Sequence, residues 1–92
     1  LKIDVEGGEL AVIRGALGTL ARSKGFVVVF EAHPKQVSRT GIDPMSVISL
    51  IRSVRLCSAR VTEQPDADVS LEKPFFDQFA PTRVYNVCVS SD

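Results

Sequence analysis

The sequence has no surplus of either charge and no long apolar run. Eleven Lys and Arg side chains balance eleven Asp and Glu side chains, so the formal net charge of the 92 residues is zero. This balance gives no electrostatic basis for binding nucleic acid or an anionic membrane. No apolar run approaches the ~20 residues that span a bilayer, and the N-terminus lacks the regions of a signal peptide. We expect a cytoplasmic protein without nucleic-acid or membrane partners.

Cysteine is also scarce. Cys57 and Cys88 lie far apart and form no CxxC pattern. Two such residues are too few for a disulfide scaffold, and their spacing is not that of a zinc site or a redox motif. We therefore expect two reduced, packed thiols.

The chain opens with "LKIDVEGGEL", which predicts a strand, a tight turn and a helix. Residues 1–5 read as a short buried strand, and Gly7 and Gly8 allow the backbone to turn sharply. From Glu9 the apolar residues recur at the spacing of one helix face: Leu10, Ile13, Leu17 and Leu20. Lys24 and Gly25 are predicted to end this helix, with Gly25 as its C-cap. At 92 residues the chain forms at most one domain with a modest core, and we expect it to start within a larger unit.

The stretch "FVVVFEAH" is the clearest strand. Residues 26–30 are apolar without alternation, which is typical of a parallel strand covered by helices on both faces. Residues 35–42 are polar and contain Gly41, so we interpret them as a loop. Asp43 is then an N-cap with Pro44 at the first helical position. The apolar face of this second helix has four members: Val47, Ile48, Ile51 and Val54.

The remainder of the chain predicts two more strands. "CSARVT" alternates as a strand near the sheet margin does, and residues 63–73 read as a charged loop. Three phenylalanines, at 75, 76 and 79, are interpreted as an aromatic turn that plugs the end of the sheet. "RVYNVCV" is the last strand, and the link before it is too poor in helix signals for a parallel crossover. The predicted order is β-α-β-α-β-β, with two parallel strands and a C-terminal antiparallel pair.

Ionisable residues follow the first two strands where each strand ends. Ligands of open α/β sheets bind beyond the carboxyl ends of the parallel strands, and Asp4, Glu6, Glu31 and His33 all fall at such ends. Simpler structural roles are open for some of these residues: Glu6, like the nearby Glu9, could complement a helix dipole, and His33 could close the turn before Pro34. Glu31 is harder to explain in this way, because a carboxylate near a core needs a partner.

At these residues the sequence resembles a known family. "LKIDVEGGELAVIRGA", followed a strand later by "FVVVFEAHP", looks like the signature of the FkbM family of S-adenosylmethionine-dependent methyltransferases, in which a K-I-D-x-E-G-x-E-x-x-x-x-x-G stretch ends the fourth strand. "YNVCV" resembles the closing strand of that family. The positions that match the signature are Asp4, Glu6, Gly7, Glu9 and Gly15, with Glu31 and His33 at the end of strand five.

The resemblance implies a partial Rossmann-like methyltransferase sheet. The full order in such enzymes is 3-2-1-4-5-7-6, and residues 1–92 would be strands four to seven, the C-terminal half of a class I methyltransferase-like domain. The glycine-rich cofactor loop and the acid that holds the ribose belong to earlier strands. We therefore expect S-adenosylmethionine to be the cofactor of the complete domain, and not to be bound by this chain alone.

The expected reaction is methyl transfer to a hydroxyl oxygen of a small molecule such as a sugar. His33 is the predicted catalytic base, because histidine titrates near neutral pH. Asp4 would orient that base or bind the acceptor hydroxyl, while Glu6 and Glu31 would bind the acceptor. A divalent metal held by Asp4 and Glu6 is a weaker alternative, since two acids are a poor signal, and no metal is expected.

Two rival functions remain open. A non-catalytic α/β module could keep the half-sheet for assembly with itself or a partner, and the unpaired edge of strand 1–5 predicts a homodimer. A phosphate-binding module built on Gly7 and Gly8 is disfavoured, because the P-loop lysine is missing and acids crowd the site.

Overall fold

Strands and helices alternate along the part of the chain that the structure describes. The structure is a computed structural model that describes residues 2–5 and 9–91, with side chains from residue 11 onward. The predicted glycine turn lies outside the described residues. The elements are β1 (Lys2–Val5), α1 (Glu9–Arg22), β2 (Val27–Ala32), α2 (Pro34–Thr40), α3 (Pro44–Arg52), β3 (Cys57–Val61), α4 (Phe75–Gln78) and β4 (Tyr85–Ser91).

The four strands form one sheet in the order β1-β2-β4-β3. β1 and β2 are parallel neighbours, with Asp4 opposite Val29 and Val5 opposite Phe30. β4 lies antiparallel to both β2 and β3. The fold is therefore mixed α/β, and the predicted antiparallel pairing of the last two strands is confirmed. The last strand of the chain is inserted between two earlier ones.

The core lies on one face of this sheet. In β2 every second residue is buried, and the register places these residues beside buried residues of β4. The buried residues of the two strands are Val28, Phe30, Ala32, Tyr85, Val87 and Val89. The opposite face of β2, β4 and β3 has no buried residue: Val27, Val29, Glu31, Asn86, Cys88, Ser90, Ser58 and Arg60 are half-buried or exposed. The prediction that β2 is covered on both faces is therefore wrong for the described residues, because the helices pack on one side.

The two longer helices contact each other over the core face. α1 places Ile13 and Leu20 in the core, as their spacing predicts. The helix ends at Arg22, however, and Gly25 is not its left-handed C-cap, since Gly41 is the residue with positive φ among the described residues. Ser23 closes the helix instead, since its N–H and its hydroxyl donate to the carbonyl oxygens of Thr19 and Leu20, both at 3.0 Å.

The segment predicted to be a loop contains a helix. Pro34 occupies the first position of α2, where its missing N–H costs nothing, and the helix ends at Gly41 with φ 73°. The left-handed conformation of Gly41 lets its N–H donate to the carbonyl oxygen of Val37. None of the residues of α2 is buried. Such a helix has no apolar face, so its sequence lacks the hydrophobic periodicity that would predict a helix.

The other predictions for the C-terminal half agree with the structure. Phe75 packs within 4.8–6.0 Å, between ring centroids, of Phe76, Phe79 and Tyr85. This aromatic group stands beside the end of β2, since Tyr85 is the register partner of Ala32. Cys57 and Cys88 are both thiols. Within the described ranges, no helix has the length and apolar character needed to cross a membrane.

Candidate functional site

A partly enclosed cavity of about 180 Å³ lies at the carboxyl end of β2. α2 forms one wall, and the start of α3 and the first turn of α1 complete it. Its lining residues are Ala11, Phe30, Glu31, His33, Gln36, Val37, Thr40, Ile42, Pro44 and Val47. Two of the four residues predicted to form a site, Glu31 and His33, therefore share one cavity.

His33 stands at the junction between β2 and α2. The following Pro34 disfavours helical backbone at His33, which is extended with φ −116° and ψ 115°. The carbonyl oxygen of His33 accepts from the N–H groups of Gln36 and Val37, both at 3.1 Å. Its side chain makes no capping hydrogen bond to the helix. The backbone thus fixes the position of His33 and leaves the imidazole available.

One ring nitrogen of His33 lies in an unusual environment. This nitrogen, Nδ1, is buried and has no hydrogen-bond partner among the described residues. A buried polar atom without a partner costs about 1–3 kcal/mol, so most such atoms are paired. A role for His33 as a simple turn-closing residue would require a bond from the ring to the turn, and the structure shows none in the described part of the chain.

The environment of Glu31 differs from the predicted one. It lies in β2 opposite Asn86, and its side chain is exposed. Because water solvates this carboxylate, no buried partner is required, and the expectation that Glu31 needs one is wrong. Glu31 instead contributes to the mouth of the cavity.

Gln36 and Thr40 line the cavity but were not predicted as site residues. Both lie on α2, one helical turn apart, and the Thr40 hydroxyl donates to the carbonyl oxygen of Gln36 at 2.7 Å. Sequence reasoning missed them because it interpreted their segment as a loop. The signal that could have found them was the pair of helix boundaries, Pro34 and Gly41.

The structure describes the backbone of Asp4. The backbone of Asp4 lies opposite Val29, two residues before Glu31 and four before His33. At about 3.3 Å per residue, that register offsets Asp4 by ~7 Å along the sheet from Glu31 and by ~13 Å from an extended His33. The backbone thus brings Asp4 nearer to Glu31 than to His33. Glu6 lies outside the described residues.

Among the residues whose side chains are described, no three His, Cys, Asp or Glu residues lie close enough together to hold a metal ion. The described site offers a different set of groups, namely one imidazole, one exposed carboxylate and one amide around an apolar cavity. Such a set can bind a small molecule and move one proton.

The fold and site define an α/β protein with a small-molecule cavity beyond the carboxyl end of a parallel strand, where ligands of such sheets bind. The model of the methyltransferase FkbM domain matches residues 1–68, and the chain belongs to this family. The resemblance is thereby confirmed over β1 to β3, while β4 lies beyond the matched range. Membership indicates a methyltransferase-like function. Comparison with curated proteins and with solved structures found no match.

Proposed function

We propose that this chain is the C-terminal, acceptor-side half of an S-adenosylmethionine-dependent O-methyltransferase with a Rossmann-like sheet. The observation that carries the proposal is His33, which lines the cavity beyond β2 and has a buried Nδ1 without a described partner. The strand order β1-β2-β4-β3 supports it, since this is the order 4-5-7-6 that the family resemblance implies.

In this proposal His33 is the general base. Methyl transfer to a hydroxyl breaks the O–H bond as the new C–O bond forms, so a neighbouring group must accept the proton. Because Nδ1 is buried, we propose that Nε2 accepts the proton of the acceptor hydroxyl and that Nδ1 carries the ring proton of the neutral imidazole. The register places the backbone of Asp4 nearer to Glu31 than to His33, which disfavours Asp4 as the group that orients His33 and leaves it a role in binding the acceptor. Glu6 and Glu31 complete the acceptor site.

The described residues do not fit S-adenosylmethionine itself. Pockets for ligands of that size have volumes of about 300–1,000 Å³, and the cavity has about 180 Å³. We therefore place the cofactor in the half of the complete domain that precedes β1. Calorimetric titration of S-adenosylmethionine into the 92-residue chain should show binding weaker than micromolar. Micromolar binding would contradict this division of the domain.

The roles of His33 and Asp4 can be tested in a complete FkbM-family enzyme whose acceptor is known. Changes that correspond to His33→Ala and Asp4→Asn should each lower kcat at least tenfold and leave the affinity for the cofactor unchanged. A change that corresponds to Lys35→Ala, on the exposed side of α2, is the matched control. Unchanged turnover in both variants would remove these residues from the mechanism and leave Glu31 as the base.

A second candidate function is a non-catalytic module that self-associates. The supporting observation is that β1 forms an edge of the sheet, and an unpaired edge is a template for another strand. The sheet face without buried residues is a second surface on which two copies could pack. Sedimentation at micromolar concentration should show a homodimer, and hydrogen exchange should show protection of residues 3–5. A monomer in which these amides exchange freely would refute this function.

A further inference from the structure

The walls of the cavity are mainly apolar, although the proposed reaction needs a polar acceptor group. Six of its lining residues are hydrocarbon in character: Ala11, Phe30, Val37, Ile42, Pro44 and Val47. We infer that the acceptor is an alcohol whose hydroxyl is attached to an apolar ring or branched alkyl group, and that this group, rather than a sugar ring, occupies the cavity. The inference rests on the proposed function for the hydroxyl, but its binding step can be tested alone.

The size of the cavity sets the size of the group. An apolar cavity of about 150 Å³ in another protein holds benzene, and the cavity here has about 180 Å³. A ring of six carbon atoms with one short substituent therefore fits. Transfer of such a group from water to apolar walls is favourable in proportion to the area that it buries.

Among the side chains that the structure describes, the polar groups of the cavity wall are too few for a sugar. The Thr40 hydroxyl is already engaged, since it donates to the Gln36 carbonyl and accepts from the N–H of Ile42 at 3.2 Å. Glu31 is exposed to water. Of the described groups inside the cavity mouth, the imidazole of His33 and the amide of Gln36 remain, and these two suit one hydroxyl. A sugar ring would bring several hydroxyls, and each one buried without a partner lowers the affinity by roughly tenfold or more.

Val37 is the residue through which α2 selects the acceptor. It lines the cavity and is half-buried, whereas the next residue, Ser38, is exposed. Because no residue of α2 is buried in the core, a change at Val37 alters the cavity with little effect on packing elsewhere. A larger side chain at this position should narrow the cavity, and a smaller one should enlarge it.

Titration of the ¹⁵N-labelled 92-residue chain, followed by NMR, tests the inference without methyl transfer. Benzyl alcohol at millimolar concentration should shift the amide signals of His33 and Val37, while methyl glucoside at the same concentration should not. Val37→Phe should weaken benzyl alcohol binding at least tenfold. Ser38→Phe adds the same side chain on the exposed side of α2 and should leave the affinity unchanged.

If Val37→Phe does not fold, Val37→Ala provides the same test in the opposite direction. This variant should bind the larger 2-naphthylmethanol at least fivefold more tightly than the unchanged chain does. The inference is overturned if methyl glucoside shifts these signals as strongly as benzyl alcohol, if neither compound shifts them, or if the Val37 variants bind as the unchanged chain does. Loss of the catalytic role of His33 in the turnover assay would refute the proposed function and leave this binding result intact.

Discussion

Asp43 joins the starts of two helices that are distant in sequence. Its Oδ1 accepts from the N–H of Met45 at 2.8 Å and so caps α3. The same carboxylate accepts from the N–H of Phe75, at 3.1 Å to Oδ1 and 3.3 Å to Oδ2, at the start of α4. The neighbours of Asp43 in sequence, Ile42 and Pro44, line the cavity. Removal of this carboxylate should therefore destabilise the fold on the side of the candidate site.

The magnitude follows from the two hydrogen bonds. Loss of an N-cap carboxylate costs about 0.5–2 kcal/mol, and the part-buried N–H of Phe75, left without an acceptor, costs about 1–3 kcal/mol more. Asp43→Ala should thus lower the free energy of unfolding by about 2–4 kcal/mol. Asp43→Asn keeps one acceptor oxygen without the charge and should cost about 1 kcal/mol. These are large fractions of the 5–15 kcal/mol that stabilise an ordinary domain.

Urea denaturation of the 92-residue chain at neutral pH measures both changes. With a slope of about 1 kcal/mol/M, the Asp43→Ala midpoint should fall by about 2–4 M without a change of slope. Asp66→Ala is the matched control, since Asp66 is exposed, and it should stay within about 0.5 kcal/mol of the unchanged chain. The reasoning would be refuted by an Ala variant that loses less than 0.5 kcal/mol, or by an Asn variant as unstable as the Ala variant.

Three further outcomes follow from local geometry. Gly15→Ala should stabilise the chain by about 0.5–1 kcal/mol in thermal unfolding, because a Cβ there meets no atom within 4 Å and alanine is the better helix former; a loss of stability would indicate that α1 needs the glycine. Gly41→Ala should destabilise it by about 1–2 kcal/mol, since φ is 73°, and an unchanged melting temperature would contradict this. Burial raises the pKa of Glu63, but bonds from the backbone N–H and side-chain amide of Asn86, at 2.9 and 2.8 Å, outweigh it and hold the pKa below the usual 4.5. A carboxyl whose pKa is lowered in the folded state stabilises the chain above pH 4.5, and this stabilisation is lost as the pH falls through the folded pKa. The difference in unfolding free energy between the unchanged chain and Glu63→Gln should therefore be present at pH 7 and vanish in acid. A difference that does not depend on pH would contradict the lowered pKa of Glu63.

Several local features were determined by the sequence alone. The apolar run before Glu31 specifies β2, because β-branched and aromatic residues favour an extended backbone. Asp43 followed by Pro44 specifies the start of α3, since the side chain satisfies an orphan N–H and proline needs none. The signature around Asp4 indicated the family, and the match over residues 1–68 confirms it. Each of these features depends on residues a few positions apart.

Other features were decided only by the tertiary structure. The insertion of β4 between β2 and β3 depends on hydrogen bonds between residues far apart in sequence. The second bond of Asp43 reaches across 32 positions to Phe75. The cavity needs Ala11, Phe30 and Val47 from three elements to converge on His33. A local sequence pattern does not indicate such contacts, because they join residues far apart in sequence. They stabilise the fold only after the chain has closed long loops to form them.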